Sequence, residues 1–170
     1  MDHPSFIRFK EKTGEPYIVI PLLAQHIRDT EKYLLVRDSG KQGLLKYVYE
    51  NDCYHLFSQD MMLGLVKRHI TDYDKELVRM STVNEALQHI LTDLNYIRQD
   101  ELDADEGIIN FQSGLLRITE DGMLLQPHSP DMYSTVQIPC NWVGKEEPTP
   151  AFDAYLDTLT DGDTDIQQHY

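Results

Sequence analysis

The chain has 170 residues, 41% of them hydrophobic and 26% charged, with a formal net charge of −14. That length suits one domain with a real core, or a domain with a short appendage, and no apolar run approaches the length of a membrane-spanning helix. The charge is uneven: residues 1–80 hold 12 Lys/Arg and 12 Asp/Glu, whereas residues 81–170 hold 3 and 17. An acidic surface repels phosphate backbones, because non-specific nucleic-acid affinity is mostly neutralisation by Lys and Arg. Any such contact therefore belongs to the neutral first half, and the acidic half should face solvent or a basic partner. The N-terminal stretch MDHPSFIRFKEK has no apolar signal core, so the chain reads as intracellular, and cytoplasmic.

In chain order, Ser5 to Phe9 is a short apolar run, and Lys10 to Pro16 is a turn cluster. Tyr17 to Ile20 reads as a strand. Pro21 then opens a helix to about Thr30, since proline suits the first helical turn, with Leu22, Leu23, His26 and Ile27 on one face. Lys32 to Arg37 reads as a strand and Asp38-Ser39-Gly40 as a turn. Leu44 to Tyr49 and Cys53 to Phe57 flank Glu50-Asn51-Asp52 as a hairpin. Ser58 is a good N-cap for a helix over Gln59 to Ile70. Met61, Met62, Leu65, Val66, His69 and Ile70 follow its inner spacing, while Lys67 and Arg68 turn outward.

Thr82-Val83-Asn84-Glu85 has the form of a capping box. The helix after it places Val83, Ala86, Leu87, Ile90, Leu91, Leu94 and Ile97 on one stripe. Residues 99–106 (QDELDADE) make an acidic loop, whose carboxylates are expected to be solvated. Three apolar runs follow, Ile108 to Phe111, Leu115 to Ile118 and Met123 to Leu125, separated by Ser113-Gly114 and Asp121-Gly122, the signature of an antiparallel meander. Ser134 to Ile138 alternates with period two, as a half-buried strand does. Thr149 and Pro150 start a further helix with Phe152, Tyr155, Leu156 and Leu159 inward. Asp161-Gly162-Asp163 stops it, and a helix opened there and cut at Tyr170 suggests an excerpt of a longer polypeptide. The fold class is α+β: short antiparallel hairpins and a meander packed with three or four helices.

The run IINFQSGLLRI, an Asp-Gly turn, and then PHSPDMYSTVQIPCNW resembles a segment of phage and plasmid DNA primase–helicases. It lies in the domain placed just before their superfamily 3 helicase motor, a domain shared with the poxvirus primase–helicase. Tyr47-Val48-Tyr49-Glu50-Asn51-Asp52-Cys53-Tyr54 is similar to that domain's earlier hairpin, and Pro150 to Leu156 to its closing helix. The likeness covers residues 32–170, which leaves 1–31 as an N-terminal extension or the end of an upstream segment. Asp52 and Ser113 stand where the family has Gly and Asn at its turns. The resemblance implies a non-catalytic module of a mobile-element replication protein, assisting assembly of a hexameric helicase ring and contacting DNA. ATP and Mg²⁺ are then expected only in the adjoining helicase domain, beyond residue 170, with the helicase and primase domains as partners. The alternative is a stand-alone phage protein that docks a replication partner through its acidic face without touching DNA.

Motifs for chemistry are few. Gly40-Lys41-Gln42-Gly43 has neither the spacing nor the hydroxyl of a phosphate-binding loop, so no ATP hydrolysis is expected of this chain. His3, His26, His55, His69, His89, His128 and His169 lack paired ligand spacing. Cys53 and His55 are two apart, on one side of a strand. Cys53 and Cys140 are too few for a disulfide framework and read as buried small hydrophobes. Asp161 to Asp165 copies the opening of a calcium loop without its glycine or its closing Glu. Paired acids in 100–106, and Ser113 and Ser129 in turns, carry no catalytic pattern, and Pro127-His128-Ser129-Pro130 reads as a rigid turn with His128 or Ser129 bonding backbone. No catalytic residue and no metal ligand is assigned. Lys67, Arg68, Lys75 and Arg79 form the only basic concentration and are the candidate nucleic-acid contacts.

Overall fold

The computed structural model describes residues 3–37, 43–92 and 96–144, together with 150, 151, 154, 155 and 158 of a C-terminal helix. Two short strands open the chain, β1 (Ile7–Phe9) and β2 (Pro16–Ile18), paired antiparallel. Helix α1 (Ile20–Thr30) follows, with proline in its first turn and Leu23, Ala24 and Ile27 buried. Ile20 thus belongs to the helix rather than to the strand expected there. The fold is α+β. Its central sheet runs β5 (Cys53–Leu56), β4 (Leu44–Glu50), β3 (Tyr33–Arg37), β6 (Tyr96–Arg98), in that spatial order. The β3–β4 and β4–β5 pairs are antiparallel, and β6 joins the far edge parallel to β3.

The expected hairpin turn forms with Asn51 at φ 50° and Asp52 at φ 64°. Two consecutive left-handed residues define the primed turn that matches strand twist, and Asn and Asp are the non-glycine residues that tolerate it. Asp52 therefore performs the turn role that glycine has in the resembling family.

Ser58 caps helix α2 (Gln59–Asp74), its Oγ accepting from the Met61 amide at 3.2 Å. The helix runs a turn beyond the expected end, because Thr71 to Asp74 contains no breaker. Met62, Leu65, Val66 and Ile70 are buried, but Met61 is exposed, lying off the edge of the stripe. A 3-10 turn over Lys75–Leu77, capped by Asp74, leads to helix α3 (Met80–Leu91).

Here the structure corrects two expectations. The capping box does not form: Arg79 is the N-cap, without a side-chain cap bond, and Thr82 already sits inside the helix. The stripe also ends early. Ile97 lies in β6, paired with Val36, because an aromatic and a β-branched residue at 96–97 fit a sheet edge better than another helical turn. Val83, Ala86, Leu87 and Ile90 are buried as expected; Leu94 lies outside the described residues.

The three helices share one core with Phe6, Ile7, Val48 and Phe57. The opposite sheet face carries a second, smaller core of Leu34, Val36 and Tyr54, flanked by Tyr47, Tyr49, Ile97, Leu102 and Tyr133. Alternation in β3 and β4 makes this division, since neighbouring side chains point to opposite faces.

The meander appears as β7 (Ile108–Phe111), β8 (Gly114–Thr119) and β9 (Gly122–Gln126), all antiparallel. Gly114 is required: its φ is +146°, and a Cβ there would meet the Gln126 carbonyl oxygen at 2.5 Å. Ser134 to Ile138 is not a strand and contributes a single parallel bridge, Phe111 to Ile138. Its polar groups are engaged otherwise: Asp103 accepts from the Thr135 amide at 2.8 Å, and the Ser134 hydroxyl donates to the Val136 carbonyl at 3.1 Å. Tyr155, expected inward, is exposed. The turn at 38–40, Phe152, Leu156, Leu159 and residues 161–165 fall outside the described residues.

Candidate nucleic-acid interface

Lys67 and Arg68 point to solvent from α2, as their spacing requires. Arg68 is held there: its Nη2 lies 3.0 Å from Glu31 Oε1, the carboxylate oxygen that also meets His69 Nε2 at 2.7 Å. Arg68 therefore presents a charge already paired with a carboxylate. His26 stacks edge-on against His69 at 5.3 Å; burial, then the neighbouring His69, lowers its pKa. Lys75, seven residues after Arg68, continues the same helical line onto the 3-10 turn. Arg79 lies one step further, its Nη1 donating to the carbonyls of Glu76 and Val78 at 2.8 and 2.9 Å. Those bonds satisfy carbonyls at the end of the 3-10 turn and fix the guanidinium. Among the described residues no carboxylate pairs with Lys67, Lys75 or Arg79.

The four residues thus run in sequence from α2 through the 3-10 turn to the N-cap of α3. At the Arg79 end the β1–β2 hairpin docks against this stretch. Tyr73 accepts or donates to His3 Nδ1 at 2.8 Å, and the His3 ring packs on Phe9 at 4.9 Å. This tethers the first strand to the end of α2. Arg8 and Tyr17 stand directly opposite each other in the hairpin, hence on one face. Tyr17 is 43% exposed. With Pro16, Ile18, Leu77, Arg79 and Thr82 it lines a cleft of about 280 Å³. The sequence gives no sign of Tyr17 as a neighbour of Arg79, since only the docking of the hairpin brings it there.

A second group of polar residues ties the two sheets together. Asn110 is buried; its amide donates to the Asp52 carbonyl at 3.0 Å and to Ser134 Oγ at 3.3 Å, and its oxygen accepts from Gln137 at 3.3 Å. His128 Nε2 donates to the Phe111 carbonyl at 2.8 Å while Nδ1 faces Asp52 Oδ2 at 3.4 Å. Ser129 accepts from the Asp131 amide at 3.2 Å. The Pro-His-Ser-Pro segment is therefore the backbone-bonded turn expected of it, and the group fastens the meander to the β4–β5 turn. Burial raises the Tyr54 phenol to about 12 and, with Asp103 second, pushes the Cys53 thiol up, so both stay protonated. Neither has the depressed pKa of a nucleophile.

The carboxylates of the acidic loop are exposed, as expected, but some of them are engaged. Asp103 holds the Thr135 backbone, and Asp105 accepts from the Gly107 amide at 3.0 Å and pairs with Arg117 at 3.1 Å. Cys53 is buried but Cys140 is exposed, because it follows Pro139 on a surface loop instead of continuing a strand. Cys53 and His55 differ in burial and, among the described residues, no group of three His, Cys, Asp or Glu could hold a metal ion. No helix of the described residues is long and apolar enough to cross a membrane.

No curated protein matches the sequence. Residues 22–161 match the family described as D5 N terminal like, a span that takes in most of α1, the central sheet, α2, α3 and the meander with its Pro-His-Ser-Pro turn. On that match the chain belongs to the D5 N-terminal-like family, the domain found in phage and poxvirus primase–helicase proteins.

Proposed function

We propose that this chain is the non-catalytic module preceding the helicase motor of a mobile-element replication protein, that it helps the motor assemble as a hexameric ring, and that it contacts DNA along the Lys67–Arg79 line. Family membership supports the primase–helicase setting. The observation that carries the DNA contact is the division of charge: the cations lie on the helical layer of a chain whose second half is strongly acidic. Residues 32–170 are the helicase-preceding domain in this reading, and ATP and Mg²⁺ serve only the adjoining helicase. The adjoining helicase and primase domains are its partners, in the cytoplasm.

The test is DNA binding by the full-length protein with Lys67, Lys75 and Arg79 changed to Gln, and with Arg68 changed separately because Glu31 engages it. Loss of binding to the triple variant, with the ring still formed in sedimentation, is the expected result. Unchanged DNA binding removes the Lys67–Arg79 contact from the proposal.

A second reading, docking of a replication partner through the acidic half, is favoured by β9. This edge strand exposes Met123, Leu124 and Leu125, next to exposed Ile118. Clustered exposed apolar side chains of this kind mark interaction sites. Retention of a partner by the wild-type chain and its loss on Met123→Lys with Leu125→Lys, without any DNA affinity, would favour this reading over the first.

A further inference from the structure

We propose that the cleft between β2 and the 3-10 turn is a site for one unstacked base of single-stranded DNA, with Tyr17 as the stacking platform and Arg8 and Arg79 holding the flanking phosphates. The inference rests on the reading above that this edge of the molecule meets DNA, and it adds the kind of strand and the residues that select it. Three observations carry it. The cleft is lined by the exposed Tyr17 together with Pro16, Ile18 and Leu77, and among the described residues Arg79 is the only charged residue lining it. Arg8 stands opposite Tyr17 on the same hairpin face, its Nη1 donating to the Ile7 carbonyl at 3.2 Å, and Arg79 lines the cleft together with Tyr17. Among the described residues neither arginine has a carboxylate partner.

The size of the cleft, about 280 Å³, lies at the lower end of ligand pockets. It suits a single planar base better than an enclosed nucleoside triphosphate. A base in duplex DNA has both faces covered by its neighbours and cannot lie on a tyrosine. Stacking therefore selects unpaired strands, and it tolerates sequence because every base has a π-face. Arg79 is suited to phosphate because its Nη1 bonds to Glu76 and Val78 hold the guanidinium in place, leaving further N–H donors for a second acceptor.

Fluorescence anisotropy of the full chain with an oligothymidylate and with a blunt duplex, at low salt, tests the site. Tyr17→Ala is expected to weaken single-strand binding by about five- to a hundred-fold, with Tyr17→Phe close to wild type and duplex binding unchanged. Oligonucleotides carrying 5-iododeoxyuridine should cross-link to Tyr17, as located by mass spectrometry. Equal binding by wild type and Tyr17→Ala, with cross-links elsewhere, overturns the site while leaving the Lys67–Arg79 contact standing. A wild-type chain that binds neither DNA at low salt fails both readings together. Competition by free dAMP at concentrations that leave an unrelated single-strand-binding protein unaffected would make the cleft a small-molecule pocket and also overturn the proposal.

Discussion

At the scale of single residues, Gly114 and His26 lead to measurable consequences by different routes. Gly114→Ala places a methyl group on the Gln126 carbonyl oxygen in a backbone conformation that only glycine adopts readily. The expected loss is about 2–4 kcal/mol, read from the shift of the urea midpoint at constant slope. His26 is held below its ordinary value of 6.5 by burial and then by His69. The neutral ring is the form the folded chain prefers. As pH falls below about 6.5 the unfolded chain takes up this proton before the folded chain does, so stability drops from there down through the folded-state pKa. Urea midpoints at about pH 7.5 and about pH 5.5 should therefore differ less in His26→Gln than in wild type. An equal difference in both would exclude His26 as a source of the acid sensitivity.

At the scale of elements, the meander is joined to the β4–β5 turn of the central sheet through Asn110, Asp52, His128 and Ser134. Asn110→Ala removes three side-chain bonds and leaves the Asp52 carbonyl without its amide donor, at a cost of about 1–3 kcal/mol. Hydrogen exchange should then accelerate in β7–β9 while α2 and α3 keep their protection, because the helical core does not depend on the node. Elements whose periodicity spans several turns or whose turns are marked by Asn, Asp and Gly were legible in the sequence, as α2, the β4–β5 hairpin and the meander demonstrate. Ser134 to Ile138 was not, because its alternation is that of a strand while its hydrogen bonds go to Asp103, Tyr54 and Asn110, partners set by tertiary structure. Ile97 misled in the same way: in sequence it continues a helical stripe, and only the free parallel edge of β3 draws it into a sheet. The capping box failed because Met80 and Ser81 extend the helix upstream of it, against no opposing signal.

At the scale of the whole molecule, the basic line was visible as composition, but its division into a Glu31-anchored part and an open Arg79 end was not, since Glu31 and Arg68, 37 residues apart in sequence, meet only in the folded chain. If the line meets single-stranded DNA, each phosphate contact contributes about −0.7 to the slope of log affinity against log salt concentration. Lys75→Gln and Arg79→Gln should each make that slope shallower by about this amount, whereas Arg68→Gln should change it less, because Glu31 already opposes that charge. Titrations across a range of potassium chloride concentrations give the comparison directly. The parallel placing of β6 has a kinetic consequence as well. The chain leaves β3, completes two antiparallel strands and two helices, and only then returns to the opposite edge of the sheet. Antiparallel neighbours can zip from a turn, but β6 has none to start from and must wait until α2 and α3 have brought it across. The β3–β6 edge is thus expected to be the last part of the sheet to acquire exchange protection during refolding, well after the β4–β5 hairpin.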